Sequence, residues 1–204
     1  MTRRLLSSDP TPWAILCLIT IASCTLALTF TSRVPPFDAN PWGASSPFPC
    51  RAVLTLDDAF VHYKYIIRMG DRYVYEMGDV LRSGAEASVR DLCRDVAITA
   101  SGAPPMVGDV VVSPRVAAVI TSPFVSRDAD RVTTVSIEWT IRDAAGNLVW
   151  VGTVDGQGQS PEAGVFSRGT SAMNRLRAAT EQAFQNSSLR MRESPEVQRR
   201  LHPA

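Results

Sequence analysis

Apolar and polar positions alternate through residues 133–142, with Val135, Ile137, Trp139 and Ile141 on one side. A period of two predicts a half-buried strand. Residues 51–56 alternate in the same way, with Ala52, Leu54 and Leu56 together. Residues 109–113 are apolar almost throughout, which suits a central strand, 96–99 is a short strand candidate, and 115–121 and 147–154 are further ones. The aromatic and β-branched run 60–67 fits a strand or an extended connection. Helical spacing appears twice. Leu81, Ala85, Val89 and Leu92 share one face of a helix over 77–95. Gly84 inside it costs about 1 kcal/mol of propensity relative to alanine. Ala172, Leu176, Ala179 and Ala183, helped by Met173 and Phe184, share a face of a second helix over 170–189. Asp143-Ala144-Ala145-Gly146 reads as a hairpin loop with its glycine at positive φ. Residues 101–105 and 156–161 read as further loops. Strand, helix, strand, an antiparallel group and a final helix predict a two-layer α+β domain over 51–189. Its sheet is expected to be mixed and mostly antiparallel, with both helices on one face. The tail, 190–204, is polar, with a partly helical stretch over 196–201.

The chain starts differently. Arg3 and Arg4 precede an uncharged stretch over 13–30, and a Pro-rich linker over 31–50 follows. Residues 1–30 have two readings. In the first they begin with a signal peptide: a basic start, an apolar segment, then Ile21-Ala22-Ser23-Cys24, a bacterial lipobox pattern. Cys24 would then carry a diacylglyceryl group and palmitate-type chains, and cleavage before it would make it the mature N-terminus. In the second the stretch is an uncleaved anchor helix with its arginines left on the cytoplasmic side. Both readings export the residues after Arg33 to the periplasmic side of a bacterial envelope.

Composition narrows the functions. The formal net charge is +1 and Lys64 is the only lysine. Removing the first 23 residues leaves the rest near neutral, so no basic surplus points to nucleic acid. Hydrophobic residues make up 45% of the chain, enough for a real core. Histidines are few: His62 in the aromatic run and His202 near the end. No His/Cys/Asp/Glu cluster has metal-ligand spacing, and no phosphate-loop or dinucleotide fingerprint is present. Gly156-Gln157-Gly158 lacks the third glycine. Ser126-Arg127-Asp128-Ala129-Asp130-Arg131 lacks the remaining ligands and closing Glu of a calcium loop. Asp57-Asp58 fits a strand end better than a catalytic pair. Asn186-Ser187-Ser188 matches a glycosylation sequon, discounted beside a bacterial export signal. Tyr63, Tyr65, Tyr73 and Tyr75 could line a groove or face a helix. The expectation is a protein without cofactor, metal or enzymatic activity.

Four cysteines are present. Cys17 lies in the apolar segment and Cys24 belongs to the export signal, which leaves Cys50 and Cys93. An oxidising compartment favours a disulfide between them. Cys50 precedes the first strand of the domain and Cys93 ends the first helix. In a right-handed strand–helix–strand unit the helix returns to the end where the strand began. The alternative leaves Cys93 as a core filler and Cys50 as incidental.

Residues 73–158 resemble the YajG-type bacterial envelope lipoproteins. The matching skeleton is Tyr73/Tyr75-x-x-Gly78-x-x-Leu81, Val89-x-x-Leu92, Gly108-Asp109-Val110-Val111-Val112-x-Pro114, and the strand from Val135 to Ile141. Asp143-x-x-Gly146-Asn147 and the Trp150 strand ending at Gly156-x-Gly158 complete it. Cys93 stands where that family carries a bulkier apolar residue. The resemblance implies a lipoprotein facing the periplasm, with no known catalytic chemistry. Auxiliary lipoproteins of ABC-type lipid transporters share the outline. The expected function is therefore a membrane-tethered envelope protein that binds another envelope component. The alternatives are an auxiliary subunit of a lipid or solute transport assembly, which calls for an apolar groove, and a single-pass anchored protein of the same fold.

Overall fold

The computed structural model describes residues 28–37, 47–69, 71–100, 110–122, 131–160 and 168–201. Its architecture is α+β, built on the alternation at Val135, Ile137, Trp139 and Ile141. These four lie on β7 (Arg131–Asp143) and are fully buried. β7 pairs antiparallel with β6 (Val110–Thr121) and β8 (Leu148–Ser160). β2 (Phe48–Leu56) adds in parallel to β6, and β5 (Cys93–Ala100) adds in parallel to β2. The order is β5-β2-β6-β7-β8. Two helices cover the apolar face. α2 (Gly78–Leu92) buries Leu81, Ala85, Val89 and Leu92, and α3 (Arg168–Glu193) buries Ala172, Leu176, Ala179, Ala183 and Phe184. α4 (Pro195–Leu201) closes one end with Val197 and Leu201.

A second sheet was not expected. β1 (Thr29–Arg33) pairs in parallel with β4 (Asp71–Glu76), and β3 (Lys64–Met69) pairs antiparallel with β4. β1 straddles the expected boundary between hydrophobic segment and linker. Val34 and Phe37, just beyond it, are buried in the core. The run 60–67 is also divided. Asp57 caps a helical turn, α1 (Asp58–Val61), by accepting the Phe60 N–H at 2.7 Å. Phe60 thereby enters the core, and β3 starts only at Lys64.

Two further differences have clear causes. The two strands expected at 109–113 and 115–121 are one strand, β6, which runs through Pro114. Pro114 lies beyond Val112, the last β6 residue paired to β2, so its missing N–H interrupts no ladder on that side. The stretch 156–160, expected as a loop, is strand: Gly156 and Gly158 pair with Val135 and Thr133. Their role is close packing of α3. A Cβ on Gly156 would sit 2.1 Å from the Ala183 nitrogen, and one on Gly158 would sit 2.0 Å from the Arg175 carbonyl oxygen. Backbone cannot yield as a side chain can. Gly158→Ala should therefore lower stability by about 1–3 kcal/mol, measured by denaturant unfolding. The hairpin between β7 and β8 does turn as expected, with Gly146 at φ 85° and the Asp143 carboxylate accepting from the Ala145 and Asn147 N–H groups.

Candidate functional site

The parallel strands β2 and β5 end at Leu56 and Ala100, at the same end of the sheet as the start of α2. An open cleft of about 640 Å³ lies there. Its wall is completed by α1, the start of β3 and the ends of β1 and β4. Leu56, Val61, Ile98 and Tyr63 give it an apolar part. Gly78 is required at its edge, because a Cβ there would meet the Val61 carbonyl oxygen at 1.9 Å.

Six charged side chains line the cleft. Arg33 pairs with Asp79 at 3.5 Å, and Lys64 with Glu76 at 3.0 Å. These exposed pairs contribute little to stability. Asp58 and Arg82 share the wall without closing such a pair with each other. The lining is therefore balanced in charge.

His62 lines this cleft, at the C-terminal end of α1, and its backbone N–H bonds to the Asp58 carbonyl at 3.0 Å. Tyr63 and Thr99 supply hydroxyls nearby. Among the described residues the His62 ring makes no hydrogen bond to either hydroxyl. Among the described residues no group of three or more His, Cys, Asp or Glu could hold a metal ion.

The tyrosines separate. Tyr63 reaches the cleft; burial pushes its hydroxyl pKa up, with a smaller push from Tyr65. Tyr65 and Tyr75 face each other across β3 and β4, and Tyr65 donates to Thr121 on β6 at 3.1 Å, tying the sheets together. Tyr75 is buried; desolvation raises its pKa most, followed by the neighbouring Tyr73. Tyr73 stacks on Phe30 with centroids 5.3 Å apart.

Asp57 and Asp58 do not act as a pair, since Asp57 is the helix cap. The sequon residues are structural. Asn186 donates to the Asp155 carbonyl at 2.9 Å, Ser187 is buried, and Ser188 bonds to the Asp91 carboxylate. Arg131, the last residue of the acidic run, is buried at the start of β7, near Arg175 of α3. Burial lowers the Arg175 pKa, and Arg131 lowers it further. Sequence reasoning missed both arginines, because neither breaks an apolar period. Residues 126–130, Cys24 and His202 lie outside the described residues.

Cys50 and Cys93 form a disulfide, with their Cα atoms 5.0 Å apart. Cys50 lies in β2 and Cys93 is the first residue of β5, so the bridge joins neighbouring parallel strands where α2 ends. It sits at the end of the sheet opposite the cleft, and both cysteines are buried.

No protein-family model matches the chain, and no curated protein matches it in sequence. Several solved structures show a partial likeness. A DUF330 protein from Xanthomonas campestris is 11% identical with a TM-score of 0.46, covering 81% of this chain and 99% of its own. Lipoprotein GNA1162 from Neisseria meningitidis is 16% identical with a TM-score of 0.32, covering 60% of this chain and 92% of its own. A PelC dodecamer from Paraburkholderia phytofirmans is 17% identical with a TM-score of 0.30, covering 74% and 94%.

Proposed function

We propose that the protein is a non-enzymatic envelope lipoprotein. Acyl chains on Cys24 hold it at a membrane, and its charge-balanced cleft takes part of another envelope component. The observation that carries this reading is the position of β1. Leu28 is already fixed to the domain: its N–H bonds to the Asp71 carboxylate at 3.2 Å and its carbonyl accepts from Arg72 at 2.9 Å. The uncharged stretch outside the domain is then residues 13–27. As a helix it would rise about 22 Å, against about 30 Å of hydrocarbon to cross. That length suits the apolar core of a signal peptide better than an anchor. The lipobox ends at Cys24, four residues before Leu28. The Cys50–Cys93 disulfide agrees with an oxidising compartment.

Intact mass of the membrane form tests the lipid. The expected species begins at Cys24 and carries the added mass of the diacylglyceryl group. An unmodified chain beginning near Met1 would refute the reading. Cys24→Ala should release or mislocalise the lipoprotein, whereas an anchor helix would keep the variant in the membrane fraction.

A further inference from the structure

The end of the small sheet where the chain enters carries an unusual set of side chains. Leu28 and Phe30 are 56% and 45% exposed. Phe30 stacks on Tyr73, which leaves an aromatic surface open beside the entry point. On the opposite face at the same end, Arg68 of β3 stands directly across from Arg72 of β4, with Thr29 of β1 completing the row. Like charges directly opposite in an antiparallel pair destabilise it. Among the described residues neither arginine side chain has an ion-pair partner, whereas Arg33 and Lys64, at the other end of the same sheet face, both do. Among the described residues Asp71 is the acid at this end, and its carboxylate is engaged by the Leu28 N–H.

We propose that this end of the small sheet docks on an anionic phospholipid surface. Leu28 and Phe30 enter the interfacial layer, and Arg68 and Arg72 lie against headgroup phosphates. The reading deepens the lipoprotein assignment and rests on it for placement. The four residue steps from Cys24 to Leu28 can span at most about 14 Å, so an acylated Cys24 holds this end at the membrane. Side chains within that reach meet the headgroup region whatever the rest of the domain does. The partner's chemistry follows from the side chains: aromatic and aliphatic groups sink to the acyl boundary, and basic groups stay with the phosphates. Arginine matches phosphate geometry in particular. The cleft lies beyond the other end of the small sheet, where it stays open to a partner.

The test uses the mature protein isolated from envelopes and reconstituted in two kinds of vesicle. One is phosphatidylcholine alone, the other phosphatidylcholine with phosphatidylglycerol. Hydrogen exchange is followed over 28–33 and 64–76. Exchange of these segments is expected to slow in the phosphatidylglycerol vesicles and to recover in high salt. Each arginine near an anionic surface contributes about fivefold to the docking equilibrium. Arg68→Glu with Arg72→Glu should therefore abolish the difference between the vesicles, while Arg94→Glu on β5 leaves it intact. Both arginines are exposed, so an unchanged melting curve certifies the folded variant. Equal exchange in both vesicles, or a difference that survives the double reversal, would overturn the proposal. The intact mass of the same sample keeps the two readings apart. An uncleaved chain whose exchange still depends on Arg68 and Arg72 would sink the lipid assignment and leave the docking surface standing.

Discussion

Replacing Trp139 by alanine should cost about 3–5 kcal/mol of unfolding stability, the usual loss for a large aromatic removed from a core. Trp139 has no solvent exposure. It lies in the middle of β7, opposite Pro114 on β6 and Gly152 on β8. Its ring meets Phe184 of α3 edge-on, with centroids 6.0 Å apart at 82°. The contact is tight because α2 comes in close: a Cβ on Gly84 would lie 2.1 Å from Phe184 Cδ2. The glycine that lowers helix propensity is thus the notch that receives Phe184. The indole is also hydrogen-bonded, with Nε1 donating to Ser187 Oγ at 2.8 Å, while that hydroxyl donates to the Ala183 carbonyl at 2.6 Å. Alanine would open a cavity and strip Ser187 of its donor. Trp139→Phe keeps most of the packing and loses the hydrogen bond, so it should cost less, about 1–3 kcal/mol. Denaturant unfolding of both variants checks the order. A loss below about 1 kcal/mol for the alanine variant would mean that the ring is not the centre of the core.

The parts of this core that were legible in the sequence are those with an uninterrupted period. Val135 to Ile141 and the Leu81–Leu92 face could be read because their apolar members are all buried; the one polar side chain buried on the helix face, Ser88, is small and donates to the Phe184 carbonyl. The misread parts each have a physical reason. Thr29–Arg33 overlaps the end of the uncharged apolar run over 13–30, and a five-residue strand is too short to assert its own period against that run. Gly156 and Gly158 are turn residues by composition, but here they are strand residues chosen for the approach of α3. Pro114 reads as a break, yet it sits where one side of β6 has no partner to lose. The division into two sheets was not legible at all, since hydrophobic alternation reports which face is buried and not which strand lies alongside. The cleft was equally hidden. Its charged residues come from β1, α1, β3, β4 and α2, and no local pattern links Arg33 to Asp79 or Lys64 to Glu76. His62 was singled out only because histidines are scarce.

The disulfide could be inferred from chain logic, and its removal is the second large effect expected. The bridge closes a separation of 43 residues, worth about 3–4 kcal/mol in the chain-entropy account. That loop contains β2, α1, both strands of the β3–β4 hairpin and α2, so its closure constrains most of the N-terminal half of the domain. Further interactions are concentrated around it. The Arg192 guanidinium donates to the Asp91 carbonyl at 2.7 Å and lies 5.7 Å from the centre of the Phe48 ring, while Ser188 bonds to the Asp91 carboxylate. These contacts bind the end of α3 to the end of α2 independently of the sulfur atoms. Reduction should therefore weaken the fold without dissolving it. Cys50→Ala with Cys93→Ala is expected to lower the denaturant midpoint by an amount matching about 3–4 kcal/mol, and reductant should move the wild type to nearly the same midpoint. Reductant should leave the double variant unmoved. Both sulfurs are buried, so native protein should lose the bridge slowly and denatured protein quickly. Peptide mapping after thiol labelling gives the direct readout: Cys50 and Cys93 should label only after reduction. Free thiols at both positions in protein taken from the envelope without reductant would refute the bridge, and would also remove the support it lends to an oxidising compartment.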